Sequence, residues 1–456
     1  MPGPNHGSIE EATLNNNLAR GLYFGLQRLR GEPVAEVLRE LAGSQHWPYE
    51  QLADLQWKRM QRLVRFAWDT VPYYRAAWSA VGFEPEALRS REDWQRLPVL
   101  DKVTLQERRT ELLSSTPEPG LISPTSGSTG LPTQVFRSHR SWAHGHANKF
   151  RQWRWFGVEP GERYAYFWGL AHDARGRREA SLKDAIFNRE RASAFAMSSD
   201  YAAQFYERLR AHPTTYAYGY PSTIVQFADE VALAGLDGRE LHWKGVFTTA
   251  ELLLPEWRER IETTFGCRVG DNYGCAECCD PGIECEHGSM HQTMESSVVD
   301  TLPGTDGLPE MLLTDLHNYS QPLIRYRVGD LVDAGDHRTC ACGRGLPRLG
   351  RPIGRSGDNL VLPDGRQLNC HTTTYLFKQH GKAGHVREYQ FVQHAQGRIE
   401  LRIHPGPAWS EDVRAELGRE AREAFGIPIE ISTVERFERR GRGKHRDFVR
   451  AEDLER

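Results

Sequence analysis

The chain has 456 residues, 39% hydrophobic and 26% charged, with a formal net charge of -3 and a pI near 6.7. That length exceeds one compact core and calls for two or three domains. The near balance of charge argues against nucleic acid or an anionic membrane as the main partner.

In chain order, the first segment, MPGPNHGSIEEATLNNN, is polar and has no apolar signal core. No uninterrupted apolar stretch reaches about 18 residues, so no membrane span is expected and the cytoplasm is the expected compartment. From Tyr49 to Gly82 the apolar residues Leu52, Leu55, Met60, Leu63, Val64, Phe66 and Ala67 recur at helical steps, through VPYYR. LPVLDKVTLQE reads as a loop and a short helix with Thr104 as N-cap. From Leu121 to Asp330, apolar runs alternate with helix-like segments, as in TYAYGYPSTIVQFADEVALAG. That rhythm predicts an α/β fold with parallel pairing. After Arg355 the texture changes. A hairpin around Pro363–Gly365, a helix near Thr372–His380, two strands (REYQFVQHA and GRIELRIHP), a helix over Glu411–Phe425 and a last strand (PIEISTVERF) make a small α+β domain. The boundary is placed near Gly354, giving domains 1–353 and 354–456.

Five motifs carry candidate chemistry. The first, Ser123-Pro-Thr-Ser-Gly-Ser-Thr-Gly-Leu-Pro132, combines hydroxyls with glycines, whose backbone can approach and cradle phosphate oxygens. It lacks the Lys-Ser/Thr of a Walker loop, and alone it also reads as a flexible linker. The second is Asn272-Tyr-Gly-Cys-Ala-Glu277: its aromatic can stack on a base and its carboxylate can hold magnesium, although a plain surface turn has the same look. In LIRYRVGDL, Asp330 can accept hydrogen bonds from two sugar hydroxyls, or simply serve as a turn aspartate. The fourth, Gly354-Arg-Ser-Gly-Asp358, suits a hinge. The fifth, Arg439-Arg-Gly-Arg-Gly-Lys444-His-Arg446, offers either a phosphate-seeking lysine or a solvated basic loop.

Taken in order and spacing, TSGSTG, FTTAE (Phe247–Glu251), NYGCAE, IRYRVGDL, GRSGD and the late GKHR resemble the adenylate-forming superfamily of acyl-CoA synthetases, adenylation domains and luciferases. VPYYR, LPVLDK and GYPSTI extend the resemblance to the phenylacetate–CoA ligase branch, from about Tyr49 onward. The resemblance implies a large adenylate-forming domain with mixed sheets and a small mobile α+β domain. It assigns Ser126, Gly127, Ser128, Thr129 and Gly130 to the ATP phosphates. Tyr273 falls to adenine, Glu277 to Mg²⁺, Asp330 to ribose and Arg355 to ribose and phosphate. It also puts Ala250, Glu251, Asn272 and Gly274 at the nucleotide, Asp358 at the hinge, and Lys444 on the mobile domain as catalytic lysine, with Thr129 and Glu277 completing the catalytic set. Cys275, where the branch often has small or hydroxylated residues, marks an unusual acyl pocket. Gly357, where an acidic residue is common, leaves the pivot open by one position.

All eight cysteines lie after residue 266. Cys285, His291, Cys340 and Cys342 offer three thiolates and an imidazole, a set suited to closed, structural zinc; the branch and its relatives often carry a similar set. Cys279 and His287 are substitute ligands, and four buried reduced residues are the plain alternative. The acyl pocket is expected near Tyr218, Gly219, Tyr220, Ala250 and Gly274, with Trp168 and His172 within reach; its tyrosines suit an aryl or arylacetic acid, and equally suit packing. The implied reaction uses ATP, Mg²⁺, a carboxylic acid and CoA, with an amine as alternative acceptor; a homodimer is compatible. A zinc-supported binding protein on a degenerate ligase fold is the third reading, against which TSGSTG, Asp330 and Lys444 count.

Overall fold

The computed structural model describes residues 15–124, 134–168, 183–193, 197–304, 308–333, 340–355, 360–361, 367–368, 380, 383–395, 398–425, 429–437 and 448–455. It is a mixed α/β protein with several sheets, the expected class. None of its described helices is long and apolar enough to cross a membrane.

The N-terminal helices are α1 (Asn16–Leu29), α2 (Val34–Ser44), α3 (Tyr49–Thr70), α4 (Pro72–Ser79), α5 (Arg91–Gln95) and α6 (Lys102–Glu107). In α3 the buried Leu52, Gln56, Met60, Leu63, Val64 and Ala67 form one stripe. The helical pattern expected to run unbroken past residue 70 is split at Val71, whose extended backbone precedes Pro72 at the first position of α4. The N-cap of α6 is Asp101, not Thr104: the Asp101 carboxylate accepts the Thr104 N–H at 2.7 Å.

Strands β1 (Gly120–Pro124) and β2 (Gln134–Ser138) pair antiparallel. The Ser/Gly-rich run between them lies outside the described residues. Helix α7 (His139–Trp155) follows. The main sheet contains β3 (Tyr164–Trp168), β4 (Arg189–Ser193), β5 (Tyr216–Gly219), β6 (Val246–Thr249), β7 (Val269–Tyr273), β8 (Gly282–Glu284) and β9 (Met290–Gln292), in the order β4-β3-β5-β6-β7-β8-β9. The first five are parallel and the last two antiparallel. Helices α8 (Ser199–Ala211), α9 (Pro221–Leu233) and α10 (Pro255–Phe265) connect the parallel strands. Period-two alternation then sorts the strand residues. Phe167, Ala217 and Val246 pack with Phe205, Phe227 and Ile261 of these helices. Tyr164, Tyr216, Tyr218 and Phe247 face α7, against Phe150 and Trp153.

A second sheet is antiparallel and takes β10 (Ser297–Pro303), β11 (Pro309–Asp315), β12 (Tyr326–Val332) and β13 (Pro352–Arg355) in sequence. Strands β14 (Leu360–Val361) and β15 (Gln367–Leu368) form the expected hairpin. The helix expected near Thr372–His380 falls outside the described residues, except His380. Strands β16 (Val386–Gln393) and β17 (Ile399–Pro405) pair antiparallel, as expected. They are flanked by β18 (Glu430–Thr433) and β19 (Phe448–Arg450), both parallel, with α11 (Glu411–Phe425) and α12 (Ala451–Glu455). This C-terminal sheet is tied to α9 and α10 by Arg260 Nη2 donating to the Arg387 carbonyl at 3.4 Å and by the Arg387–Glu230 pair at 3.6 Å.

One buried ion pair joins the N-terminal helices to both sheets. Arg151 of α7 meets Glu295 at 2.7 Å, with each side chain 1% exposed. Ser44 at the end of α2 donates to Glu295 Oε1 at 2.7 Å, and His317 Nε2 lies 2.9 Å from the Glu295 carbonyl, which also accepts from Arg59 of α3. Burial pushes the Glu295 carboxyl up, but Arg151 and Ser44 outweigh it and hold it below the usual range. Breaking one side leaves an uncompensated charge. Glu295→Ala should therefore lower stability by about 3–5 kcal/mol, read as a reduced urea midpoint, while the paired change Arg151→Met with Glu295→Leu should recover most of the loss.

Candidate nucleotide and acyl site

The carboxyl ends of parallel strands are where open α/β sheets bind ligands. Here those ends are Trp168 of β3, Gly219 of β5, Thr249 of β6 and Tyr273 of β7. The turns after β6 and β7 each have a local reason for their shape. Ala250, directly after β6, has φ +73. A left-handed alanine costs about 1–2 kcal/mol, a strain that marks functional turns. Its neighbour Glu251 accepts the Ser222 N–H at the start of α9 at 3.2 Å. Gly274 follows β7 where there is no room for a side chain: a Cβ there would stand 2.3 Å from Asp280 Oδ1. Thr249 donates to Asn272 Oδ1 at 3.3 Å, locking the ends of β6 and β7 together.

The Tyr273 hydroxyl donates to Asp330 Oδ2 at 2.6 Å. The aromatic at the end of the main sheet and the aspartate of β12 in the second sheet, 57 residues apart, thus share one place. Asp330 is also the register partner of Arg355, which puts the backbone of the fourth motif beside it; the Arg355 side chain is outside the described residues. Glu277 is half-buried four residues past Tyr273. Ser126, Gly127, Ser128, Thr129, Gly130, Asp358, Lys444 and His172 lie outside the described residues. Among the expected acyl-pocket residues, Trp168 and Tyr220 stack at 4.2 Å, and Tyr220 is fully buried, so this tyrosine packs rather than lining open space.

Sequence patterns passed over three residues, two on α7 and one in the turn after β7. Lys149 of α7 holds its ammonium 5.1 Å from the Tyr218 ring centre. His146 lies one helical turn before it, with Nδ1 3.1 Å from the Tyr23 hydroxyl; burial pushes its imidazole down to about 3, leaving it neutral. Asp280 is the third, and burial raises its carboxyl. None belongs to a motif, and no spacing announces them.

The four metal candidates come together. Ligand atoms of Cys285, His291, Cys340 and Cys342 all lie within 4.8 Å of one another. Cys285 Sγ is 3.7 Å from Cys340 Sγ, and Cys342 Sγ is 3.4 Å from His291 Nε2. The Leu346 carbonyl sits 2.8 Å from His291 Nδ1, so a proton there leaves Nε2 free as a ligand. This set fits a tetrahedral ion. Cys279 does not join it; with Cys278 and Asp315 it forms a second group. There Asp315 is already engaged by Ser141 Oγ at 2.5 Å and the His317 N–H at 2.9 Å, as a structural carboxylate would be. His287 joins neither.

Residues 79–307 match the family model described as AMP-binding enzyme. The chain belongs to the AMP-binding enzyme family. Within it, the chain is of the phenylacetate–CoA ligase-like branch. It is 26% identical over 400 residues to a phenylacetate-coenzyme A ligase of Thermus thermophilus, covering 82% of this chain and 85% of that one. It is 27% identical over 413 residues to the enzyme of that name from Pseudomonas putida, covering 84% and 90%. A crystal structure of a 2-hydroxyisobutyryl-CoA ligase in the postadenylation state shares the fold, with a TM-score of 0.72 at 21% identity over 90% of this chain and 92% of that one.

Two residues before Tyr273 in β7, Asp271 accepts from Thr248 Oγ1 at 2.7 Å. Burial, then the Glu284 charge, raises its carboxyl to about 6. The unfolded value is about 3.9. Asp271 therefore contributes stability that is full below the unfolded value and lost as pH rises through 6. Asp271→Asn, which keeps the Thr248 contact, should melt higher than wild type at pH 7.5. The advantage should shrink between pH 6 and pH 4; a pH-independent difference would show that Asp271 titrates normally.

Proposed function

We propose that this chain activates a carboxylic acid with ATP, forming an acyl-AMP and pyrophosphate, and then passes the acyl group to the thiol of CoA. The observation that carries this reading is the meeting of Tyr273 and Asp330 at the carboxyl end of the parallel strands. Tyr273 offers a face for adenine, and Asp330 offers acceptors for the ribose hydroxyls. A carboxylate is a poor acyl donor because oxide would have to leave. Its oxygen attacks the α-phosphorus of ATP, the bond to the bridging oxygen breaks, and pyrophosphate departs. The thiol sulfur then attacks the acyl carbon and AMP leaves.

In such displacements the protein positions the reactants and neutralises charge. The hairpin loop between β1 and β2 would place Ser126, Gly127, Ser128, Thr129 and Gly130 on the phosphates. Arg355, next to Asp330 in register, would reach ribose and phosphate. Glu277 would hold Mg²⁺, which draws charge from the phosphate oxygens. Residues 1–353 form the larger domain on this reading and 354–456 the mobile one. That mobile domain carries Lys444 to the forming adenylate and swings it away about a hinge near Asp358. An aryl or arylacetic acid suits the aromatic wall of Tyr218 and Trp168. Zinc at Cys285, His291, Cys340 and Cys342 would be structural, since four protein ligands leave no open position. Cytoplasmic residence accords with thiols kept reduced.

Acid-dependent exchange of pyrophosphate into ATP tests the reading. Asp330→Ala should weaken ATP binding. Lys444→Ala should lose about 10²–10³ in exchange yet still transfer from a supplied acyl-AMP. No exchange over a broad acid panel, together with no ATP binding by calorimetry, would refute the assignment.

Metal analysis of protein purified without chelator should find one zinc per chain. Cys342→Ser should lose metal and melting temperature, because binding at a closed site contributes to folding directly; zinc-free wild type with unchanged melting would exclude the site.

A further inference from the structure

Between α9, α10 and the C-terminal sheet lies a cleft of about 420 Å³, with Ala232, Leu233 and Thr263 on the helix side and Gly384, Val386 and Pro407 on the sheet side. Protein interiors are close-packed, with few voids larger than a water molecule. Two bodies that meet around a cleft of this size have not been moulded into one core. Apolar residues still adjoin across the seam: Val386 and Phe391 belong to the same buried cluster as Phe227 and Ile261. Such attraction is non-directional. It keeps the sheet near α9 and α10 without fixing its angle.

The angle is left to directional contacts. Arg387 of β16 reaches from the sheet to Glu230 of α9, Nη1 to Oε1 at 3.6 Å, with the side chains 19% and 10% exposed. Glu230 is itself oriented, since Ser199 Oγ of α8 donates to its Oε2 at 2.7 Å. From the other side, Arg260 Nη1 donates to Asp229 Oδ2 at 2.8 Å while its Nη2 donates to the Arg387 carbonyl at 3.4 Å. Residue 387 is thus held by side chain and main chain together. The side-chain hold is loose. At 3.6 Å it is an ion pair rather than a close hydrogen bond, and Arg387 Nε has no acceptor among the described residues. Partial burial spares the pair much of the screening that a surface pair suffers. Such a contact sets an orientation and can still be broken.

What turns with β16 bears on the chemistry. Strand β16 pairs in parallel with β19, Phe391 opposite Phe448. Phe448 follows Lys444 by four positions. The angle of β16 therefore governs where the chain that follows Lys444 stands.

We infer that Arg387 is a positioning residue: its pair with Glu230 fixes the angle of the C-terminal sheet and so decides in which half-reaction Lys444 is presented. This inference rests on the acyl-adenylate reading above and names the contact that balances its two steps. A contact made in one orientation and absent in the other shifts the equilibrium between them by its differential worth.

The test compares acid-dependent ATP–pyrophosphate exchange with transfer to CoA from a supplied acyl-AMP, both in the full chain. Arg387→Met removes the charge and keeps the bulk. Glu230→Gln removes it from the other side and keeps an acceptor for Ser199, so either variant serves if the other fails to fold. Each should move the ratio of the two rates by about fivefold or more, in the same direction, as couplings between states do. Reversing the pair, Arg387→Glu with Glu230→Arg, should bring the ratio back toward wild type. Small-angle scattering should report a mean arrangement in each single variant that differs from the wild type. Equal losses in both rates, or an unchanged ratio, overturn the inference, as does a shifted ratio that the reversed pair leaves in place. Scattering profiles identical to wild type overturn it as well. A wild type that neither exchanges pyrophosphate nor binds ATP removes the acyl-adenylate reading itself, while scattering still decides whether the pair holds the sheet.

Discussion

The buried pair of Arg151 and Glu295 is the constraint on which the rest of the structure depends. Two charges removed from water are stable only in close, well-bonded geometry, so the pair tolerates little drift. Its partners come from α2, α3, α7 and the chain on both sides of β10 and β11. Helix α7 is thereby held at a set height against the main sheet. That helix presents Lys149 toward Tyr218, and Trp153 toward Tyr216, Tyr218 and Phe247. Glu295 follows β9 by three residues, so the same anchor steadies the strand that carries His291.

Two further ties make one site from two sheets. The Tyr273–Asp330 hydrogen bond closes the gap between the ends of β7 and β12. The cysteine and histidine group closes another, linking β8 and β9 to the chain just before β13. The two thiol groups in this region differ in a telling way. In the first, His291 has a carbonyl partner on one nitrogen and thiols on the other side. In the second, Asp315 is saturated by protein donors. Proximity of potential ligands is shared; only the first leaves its ligand atoms free for an ion.

Legibility in the sequence followed the range of the interactions. The stripe of α3, the α/β rhythm with some parallel pairing, the C-terminal strand pair and the turns after β6 and β7 were readable because each depends on periodicity or on local backbone demands. Glycine after Tyr273 and the turn after FTT belong to this class. The errors were local too. Pro72 restricts Val71 and divides a pattern that periodicity alone continues. Asp101 outcompetes Thr104 as a cap because its carboxylate reaches the N–H three residues on.

What the sequence by itself determined was the class of fold, the family and the identity of four residues whose ligand atoms come within reach of one metal ion. Those features are written in adjacent or regularly spaced residues. The tertiary structure alone decided that Lys149 and Asp280, 131 positions apart, act on the same tyrosine. It also decided that Tyr220 packs while Tyr218 borders the charged groups, and that Cys279 parts from Cys285. Each outcome turns on which face of a strand or helix meets which neighbour, and burial then sets how strongly a charge is felt there.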